Sequence, residues 1–387
     1  MATTTLMQQP RILIADDQTD ILEALHLLLK NEGFVIEVAS SPRAVIEAIE
    51  SRRFDVALLD LNYARDTTSG GEGLELLARI QQLDSTLPVV LMTAWGSVEL
   101  AVEAMQGGGR DFVQKPWDNQ KLLRTLRRRV EESYARRRQK QQDEASAQLM
   151  RDMQEAHDIQ RRLLPTEMPK LSGCDIQASW QPASQVGGDY FDAIRLDENL
   201  AAFCIGDVSG KGLPAALLMS NVQATVRALA QNTQGPADLC RQLNKVVLEN
   251  TATGKFVTFF YATLDSVERT LRYTNAGHIP PILLRRDGRL DRLSDGGTVL
   301  GIFPDVAYAE CRVSFEPGDR LILVTDGITE AESPNGEEFG DDQLINIVLK
   351  QRDAATSQLR QMIMDAVESF APQGLRDDAT VMVVSAP

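Results

Sequence analysis

At 387 residues the chain is too long for one ordinary core and points to two domains with a connector. Hydrophobic residues make up 43%, ample for globular packing, yet runs such as VVLM and LILV are strand-length, which argues against membrane insertion. A net charge of −15 argues against a nucleic-acid binder that works through a general electrostatic field. The four cysteines (Cys174, Cys204, Cys240 and Cys311) are scattered without a CxxC or other metal spacing. With the polar start MATTTLMQQP, which lacks a signal pattern, they predict reduced, buried thiols in a cytoplasmic protein.

From residue 11, apolar strands alternate with amphipathic helices. RILIA reads as a buried strand and residues 19–31 as a helix with Ile21, Leu22, Leu25 and Leu28 on one face. FVIEV is a strand, 42–51 a helix, FDVALLD a strand, 72–82 a helix, PVVLM a strand, 97–106 a helix and DFVQ a strand. This alternation predicts an α/β fold, a doubly wound parallel sheet of five strands, over residues 10–130. Residues 119–164 hold neither Gly nor Pro and predict a nearly continuous helix, with a helical linker assigned to 131–168. Nine Lys/Arg against two Glu within 121–140, with Tyr134 the one aromatic there, mark a solvated helix face rather than a nucleic-acid patch. Farther on, Leu149, Met153, Ala156 and Leu163 recur at near-heptad spacing, which fits a partly paired coiled-coil linker. A solvated single helix fits the same stretch.

LLPTEMP ends that helix by proline. Beyond it come the strands LAAFCIG, FVTFFYATL, LRYTN, PPILLR, CRVSF, RLILV and TVMVV, with helices near 213–230 and 236–250 and helical periodicity at 341–370. Consecutive strands predict antiparallel sheets with helices packed outside, an α+β domain over 169–387. No internal repeat is evident.

Asp16 and Asp17 follow the first strand, Asp60 ends the third, Thr93 follows the fourth and Lys115 ends the fifth. A parallel sheet brings all of these to one rim. Carboxylates gathered there repel one another unless a divalent cation joins them. A carboxylate that attacks phosphate needs that cation, and a lysine to neutralise the oxygens. Strand-end Asp N-caps are the plain alternative, but five residues in register exceed it. IADDQTD, ALLDLN, LMTAW and QKPW resemble the CheY-like receiver domain of response regulators. The resemblance implies that Asp60 takes phosphate from a sensor histidine kinase, and that Asp16, Asp17, Asp60 and the carbonyl of Asn62 bind Mg²⁺. It further implies that Thr93 and Lys115 contact the phosphoryl group, that Phe112 is the switch aromatic, and that Lys115–Pro116 is a cis peptide. The loop YARDTTSGGEG after Asp60 departs from the pattern, being longer and lacking the customary proline.

Four Asp-bearing turns punctuate the rest: VGGDYFD (Asp189, Asp192), IGDVSGKG (Asp207), VTDGITE (Asp326) and RDDAT (Asp377, Asp378). Glycines let backbone and ions approach closely. Carboxylates without His or Cys suit Mg²⁺ or Mn²⁺ rather than Zn²⁺. Two such ions can share a water, lower its pKa and aim it at phosphorus. Asp-Gly alone is an ordinary turn dipeptide; four such motifs in order are not. GGDYFD, GDVSGKGLPAALLM, TFFYATLD, YTNAGHIPPILL, PGDRLILVTDGITE and DDATVMVV resemble the SpoIIE-like branch of the PPM phosphatases. That resemblance implies an αββα sandwich with two Mn²⁺ or Mg²⁺ ions. Asp207 would bridge both, the Val208 carbonyl would add an oxygen, Asp189 would complete one metal, and Asp326 and Asp377 the other. It also implies a metal-dependent serine/threonine phosphatase acting on a phosphorylated STAS-domain protein of the anti-sigma-antagonist kind, and a homodimer formed through receiver and linker. His278 is either a proton carrier or a structural, hydrogen-bonded histidine. Lys211 either sits near the metal loop or faces solvent. Asp192 and Asp378 are either neighbours of the site or turn residues.

AHDIQRRLLP, also typical just before SpoIIE-like domains, is expected to pass a change at Asp60 to the helices at 213–250. Two other functions fit parts of the sequence. GGDYF resembles the GGDEF signature of diguanylate cyclases, but Tyr190 stands where an acid is needed. A non-catalytic adaptor is disfavoured because none of the metal aspartates is missing.

Overall fold

The computed structural model describes residues 9–63, 71–93, 98–170, 174–251 and 254–386. Most of the long loop after Asp60, and Ala94 and Trp95 of LMTAW, lie outside them. The chain divides into two compact units at Gln148/Leu149.

The first unit begins β1 (Arg11–Ala15), α1 (Thr19–Lys30), β2 (Val35–Ala39), α2 (Pro42–Ser51) and β3 (Val56–Asp60). It continues α3 (Gly71–Leu83), β4 (Val89–Thr93), α4 (Val98–Gln106), β5 (Asp111–Gln114) and α5 (Asn119–Leu163). The strands pair in parallel in the order β2-β1-β3-β4-β5. Period-two alternation splits each central strand between two cores. Ile12, Ile14, Val56, Leu58, Val90 and Met92 pack with Leu22, Leu25 and Leu29 of α1 and Leu122, Leu126 and Val130 of α5. Leu13, Ala15, Ala57, Leu59, Val89 and Leu91 pack with Val45 of α2 and Leu76, Leu77 and Ile80 of α3. Burial on both faces explains why these strands read as continuous apolar runs. In this order the chain reverses between β1 and β3, which opens the crevice at their carboxyl ends. The helix α5 runs unbroken across the division of the chain, as a stretch without Gly or Pro allows.

The second unit opens with β6 (Asp175–Gln181), β7 (Tyr190–Arg195), β8 (Leu200–Val208), α6 (Leu213–Leu229), α7 (Pro236–Asn250), β9 (Val257–Asp265) and β10 (Thr270–Ala276). It continues β11 (Ile282–Leu284), β12 (Leu290–Arg292), β13 (Gly296–Gly297), β14 (Cys311–Ser314) and β15 (Arg320–Val324). It ends α8 (Asp326–Thr329), α9 (Gly340–Lys350), α10 (Thr356–Phe370) and β16 (Ala379–Ser385). One sheet runs β13-β10-β9-β8-β7, with β14 also on β10; the other runs β12-β11-β15-β16-β6. Leu321, Leu323, Met382 and Val384 face the first sheet's core, while Ile322, Val324, Val381 and Val383 face α9 and α10. The helices α6 and α7 cover the outer face of the first sheet, completing the αββα sandwich. The sequence reading misses β6, β7 and the short β12 and β13 as strands, and α8 as a helical turn. β6 and β7 are edge strands with mixed burial, and α8 is four residues long.

Candidate phospho-acceptor and metal sites

The receiver crevice gathers its residues as its strand ends dictate. Asp16, Asp60 and Thr93 are buried. Ligand oxygens of Asp16, Asp17 and Asp60 lie within 4.8 Å of one another. The Lys115 ammonium donates to Asp16 at 2.6 Å and lies 3.1 Å from Asp60. Burial pushes the Asp60 carboxyl above its usual range; Lys115 pulls it down, and Asp16 pushes it up again. A buried carboxylate between another acid and one lysine is short of positive charge, and an oxygen-only donor set of this kind fits Mg²⁺. Phe112 is half exposed, and the Lys115–Pro116 peptide is cis. The side-chain oxygen of Asn62 is buried without a hydrogen-bond partner. Tyr63, which the sequence reading did not single out, is buried beside the site with its hydroxyl likewise unpartnered.

In the second unit, Asp207 ends β8, Asp326 opens α8 after β15, Asp377 and Asp378 precede β16, and Asp189 precedes β7. The two sheets therefore present their acid-bearing ends together. Burial raises the Asp207 carboxyl, and Asp326, Asp377 and Asp378 raise it further, to about 7. Asp326 is raised by burial and by Asp377. Asp189 is fully buried and pushed well up by burial and Asp207, against hydrogen bonds from Thr380 and, at 2.8 Å, Thr325. A Cβ on Gly188 would stand 2.9 Å from the Val208 carbonyl and 3.2 Å from Asp207, so only glycine lets the backbone pass there. Mutually repelling acids around a glycine-lined carbonyl fit hard divalent cations. Among the described residues, however, only the receiver trio closes to within 4.8 Å.

The neighbours divide clearly. Asp378 binds the backbone N–H of Ala183 at 2.9 Å and of Gly188 at 2.6 Å, so it shapes the loop before Asp189. Asp192 lies inside β7, buried, and accepts two hydrogen bonds from Arg227 of α6. His278 is buried between strands: Nδ1 lies 2.9 Å from the Thr258 hydroxyl and Nε2 lies 3.1 Å from the Val324 carbonyl. Its pKa is lowered by burial to about 4. Both ring nitrogens are therefore engaged by protein groups, Thr258 on one side and Val324 on the other. Lys211 lies 2.8 Å from Asp377.

Sequence reasoning missed Gln160. This buried α5 side chain donates to the Gly187 carbonyl at 2.6 Å and accepts from the Gly187 N–H at 3.0 Å. One turn earlier, His157 reaches the Gln185 carbonyl at 2.5 Å and stacks on Trp180. The motif AHDIQRRLLP holds both, but their partners lie almost thirty residues downstream.

The chain matches the stage II sporulation protein E (SpoIIE) family over residues 197–387 and the response regulator receiver domain over 12–127. It is 32% identical over 230 residues to the phosphoserine phosphatase RsbU of Bacillus subtilis, covering 59% of this chain and 68% of that one. It is 29% identical over 261 residues to the protein IcfG of Synechocystis, covering 60% of this chain but only 41% of that one. Its fold is similar to that of the SiaA-PP2C domain of Pseudomonas aeruginosa, with a TM-score of 0.54 at 20% identity over 62% of this chain and 97% of that one. The chain belongs to the SpoIIE family of phosphatases and carries a response-regulator receiver domain ahead of its phosphatase domain.

Proposed function

We propose that the C-terminal domain removes phosphate from phosphoserine or phosphothreonine on a protein, under control of phosphorylation at Asp60. The crowding of Asp207 by Asp326, Asp377 and Asp378 around the Gly188 cradle carries this reading. Bound cations would relieve this repulsion and let all the carboxylates ionise at neutral pH. In this reading Asp189, Asp207, Asp326, Asp377 and the Val208 carbonyl would together hold two Mn²⁺ or Mg²⁺ ions. Bound ions would supply a water acidic enough to attack phosphorus at neutral pH. The chain's own part is to fix these oxygens: Thr325 and Thr380 orient Asp189, and Asp378 and Gln160 hold its loop.

In the receiver, Asp60 accepts phosphate from a sensor histidine kinase, Asp16, Asp17 and Asn62 help hold Mg²⁺, Thr93 and Lys115 meet the phosphoryl oxygens, and Phe112 reports the change. We assign 10–130 to the receiver, 131–168 to the linker and 169–387 to the phosphatase. The likeness to the phosphoserine phosphatase RsbU supports a phosphoserine substrate, and the resemblance to SpoIIE-like phosphatases implies that it is carried on a STAS-domain protein. Exposed Leu149, Met150 and Ile159 along α5 favour a homodimer paired through the linker.

The test is Mn²⁺-dependent release of phosphate from a phosphoserine STAS protein, with and without beryllofluoride on Asp60. Hydrolysis that changes with beryllofluoride and disappears in Asp207→Asn supports both sites and their coupling. Hydrolysis indifferent to beryllofluoride removes the regulatory part. Absence of hydrolysis on several such substrates, with Mn²⁺ demonstrably bound, removes the enzymatic part.

A further inference from the structure

The metal loop carries a cation that this scheme does not use. Lys211 stands four residues after Asp207, between Gly210 and Gly212, both at positive φ. Its ammonium lies 2.8 Å from an Asp377 oxygen and donates to the Arg376 carbonyl at 2.6 Å, while the side chain stays 61% exposed. A Cβ at Gly212 would meet nothing within 4 Å, so the approach beside it is open. Neighbouring cations are committed elsewhere: Lys255 donates to the Ser209 carbonyl at 3.0 Å, and Arg376 pairs with Glu332. His278 is buried, with both ring nitrogens engaged by Thr258 and Val324.

We infer that Lys211 binds the substrate phosphoryl group, exchanging its contact with Asp377 for one to a phosphoryl oxygen. The inference rests on the metal-dependent phosphatase reading and adds the residue that recognises the phosphate. Four aspartates and two divalent ions sum to zero charge, which leaves a phosphate dianion without net attraction. A lysine at the rim supplies it as a charge-assisted hydrogen bond. Once a divalent ion draws on Asp377, the ammonium loses part of that partner. Its exposed side chain and the glycines beside it let it turn toward an incoming anion.

The experiment is calorimetric titration of inorganic phosphate into the full-length, Mn²⁺-loaded protein, for the wild type, Lys211→Met, Lys211→Arg and Lys350→Met. Mn²⁺ affinity is measured on each first. Lys211→Met is expected to weaken phosphate binding about tenfold or more and to raise KM by a similar factor. Lys211→Arg should recover most of the loss, and Lys350→Met, on the exposed face of α9, should change nothing. Lys211→Met should bind Mn²⁺ as tightly as the wild type or more so, because one competitor for Asp377 is gone. Unchanged phosphate affinity in Lys211→Met overturns the inference, as does a wild type that binds no phosphate. A loss matched by an equal loss of Mn²⁺ affinity also overturns it, since Lys211 would then act only through Asp377. Lys211-dependent phosphate binding without hydrolysis of any phosphoprotein sinks the phosphatase reading and leaves this inference standing.

Discussion

Asp207 is held where its charge is least welcome, and that sets a cost on the fold. Its carboxyl sits at about 7 against an ordinary 3.8. Between those values the native state binds more protons than the unfolded one. Its favourable contribution to stability is therefore complete below about pH 4 and lost as pH rises through 7. In chelator at pH 8, Asp207→Asn is expected to melt higher, by roughly 2–4 °C if about 1 kcal/mol of repulsion is relieved. The same variant should lose the rise in melting temperature that Mn²⁺ gives the wild type. A variant that melts lower in chelator would show that the acids there do not repel. His278 runs the other way. Its pKa of about 4 lies below the usual 6.5, so its contribution is complete above about 6.5 and lost as pH falls toward 4. The Val324 carbonyl can only accept, so the proton belongs on Nε2 and Nδ1 accepts from Thr258. Imidazole NMR at pH 6, assigned with His278→Asn, should show that neutral tautomer; a ring titrating near 6.5 would sink the assignment. The sequence could name His278 but not choose its role, because Thr258 and Val324 reach it from separate strands in separate sheets.

The end of α5 acts as a clasp. Gln160 meets both polar groups of Gly187, whose own Cβ, were it present, would overlap Asp378. Gln223 of α6 donates to the Leu163 carbonyl at 3.1 Å, so α6, which follows the Asp207 loop, is tied to the same helix end. Gln160→Leu keeps much of the volume and leaves a buried N–H and C=O unpaired, at about 1–3 kcal/mol each. Expected results are a lower melting temperature and weaker Mn²⁺ binding, both measured on the full chain, with exposed Asp158→Ala as the silent control. Full Mn²⁺ affinity in Gln160→Leu would mean that the clasp does not position Asp189. The helix itself was legible, since no Gly or Pro interrupts it. The clasp was not, because a Gln in a helix has no local signature for a main-chain partner. β6 was hidden for a related reason: it is an edge strand whose register is set by β16, some two hundred residues later. The receiver strands, buried on both faces, announced themselves.

Across the whole chain, the two chemistries are joined by one continuous α5, and a rigid helix can carry bias only if its two states differ in contacts at both ends. Contacts available to change are present in each unit. α5 supplies Leu122, Leu126 and Val130 to the receiver core, and Gln160 and His157 to the loop before Asp189. Beryllofluoride on Asp60 is therefore expected to shift Mn²⁺ affinity by roughly 5–150-fold, the usual span of such coupling. Thermodynamic linkage then demands the reverse: saturating Mn²⁺ must change beryllofluoride affinity by the same factor. Both are calorimetric titrations on one protein. Replacing 141–148 with a flexible Gly/Ser segment should leave each affinity near its uncoupled value and bring both factors to one, because a coil cannot transmit rotation or register. Reciprocal factors that survive this replacement would refute transmission through a rigid helix.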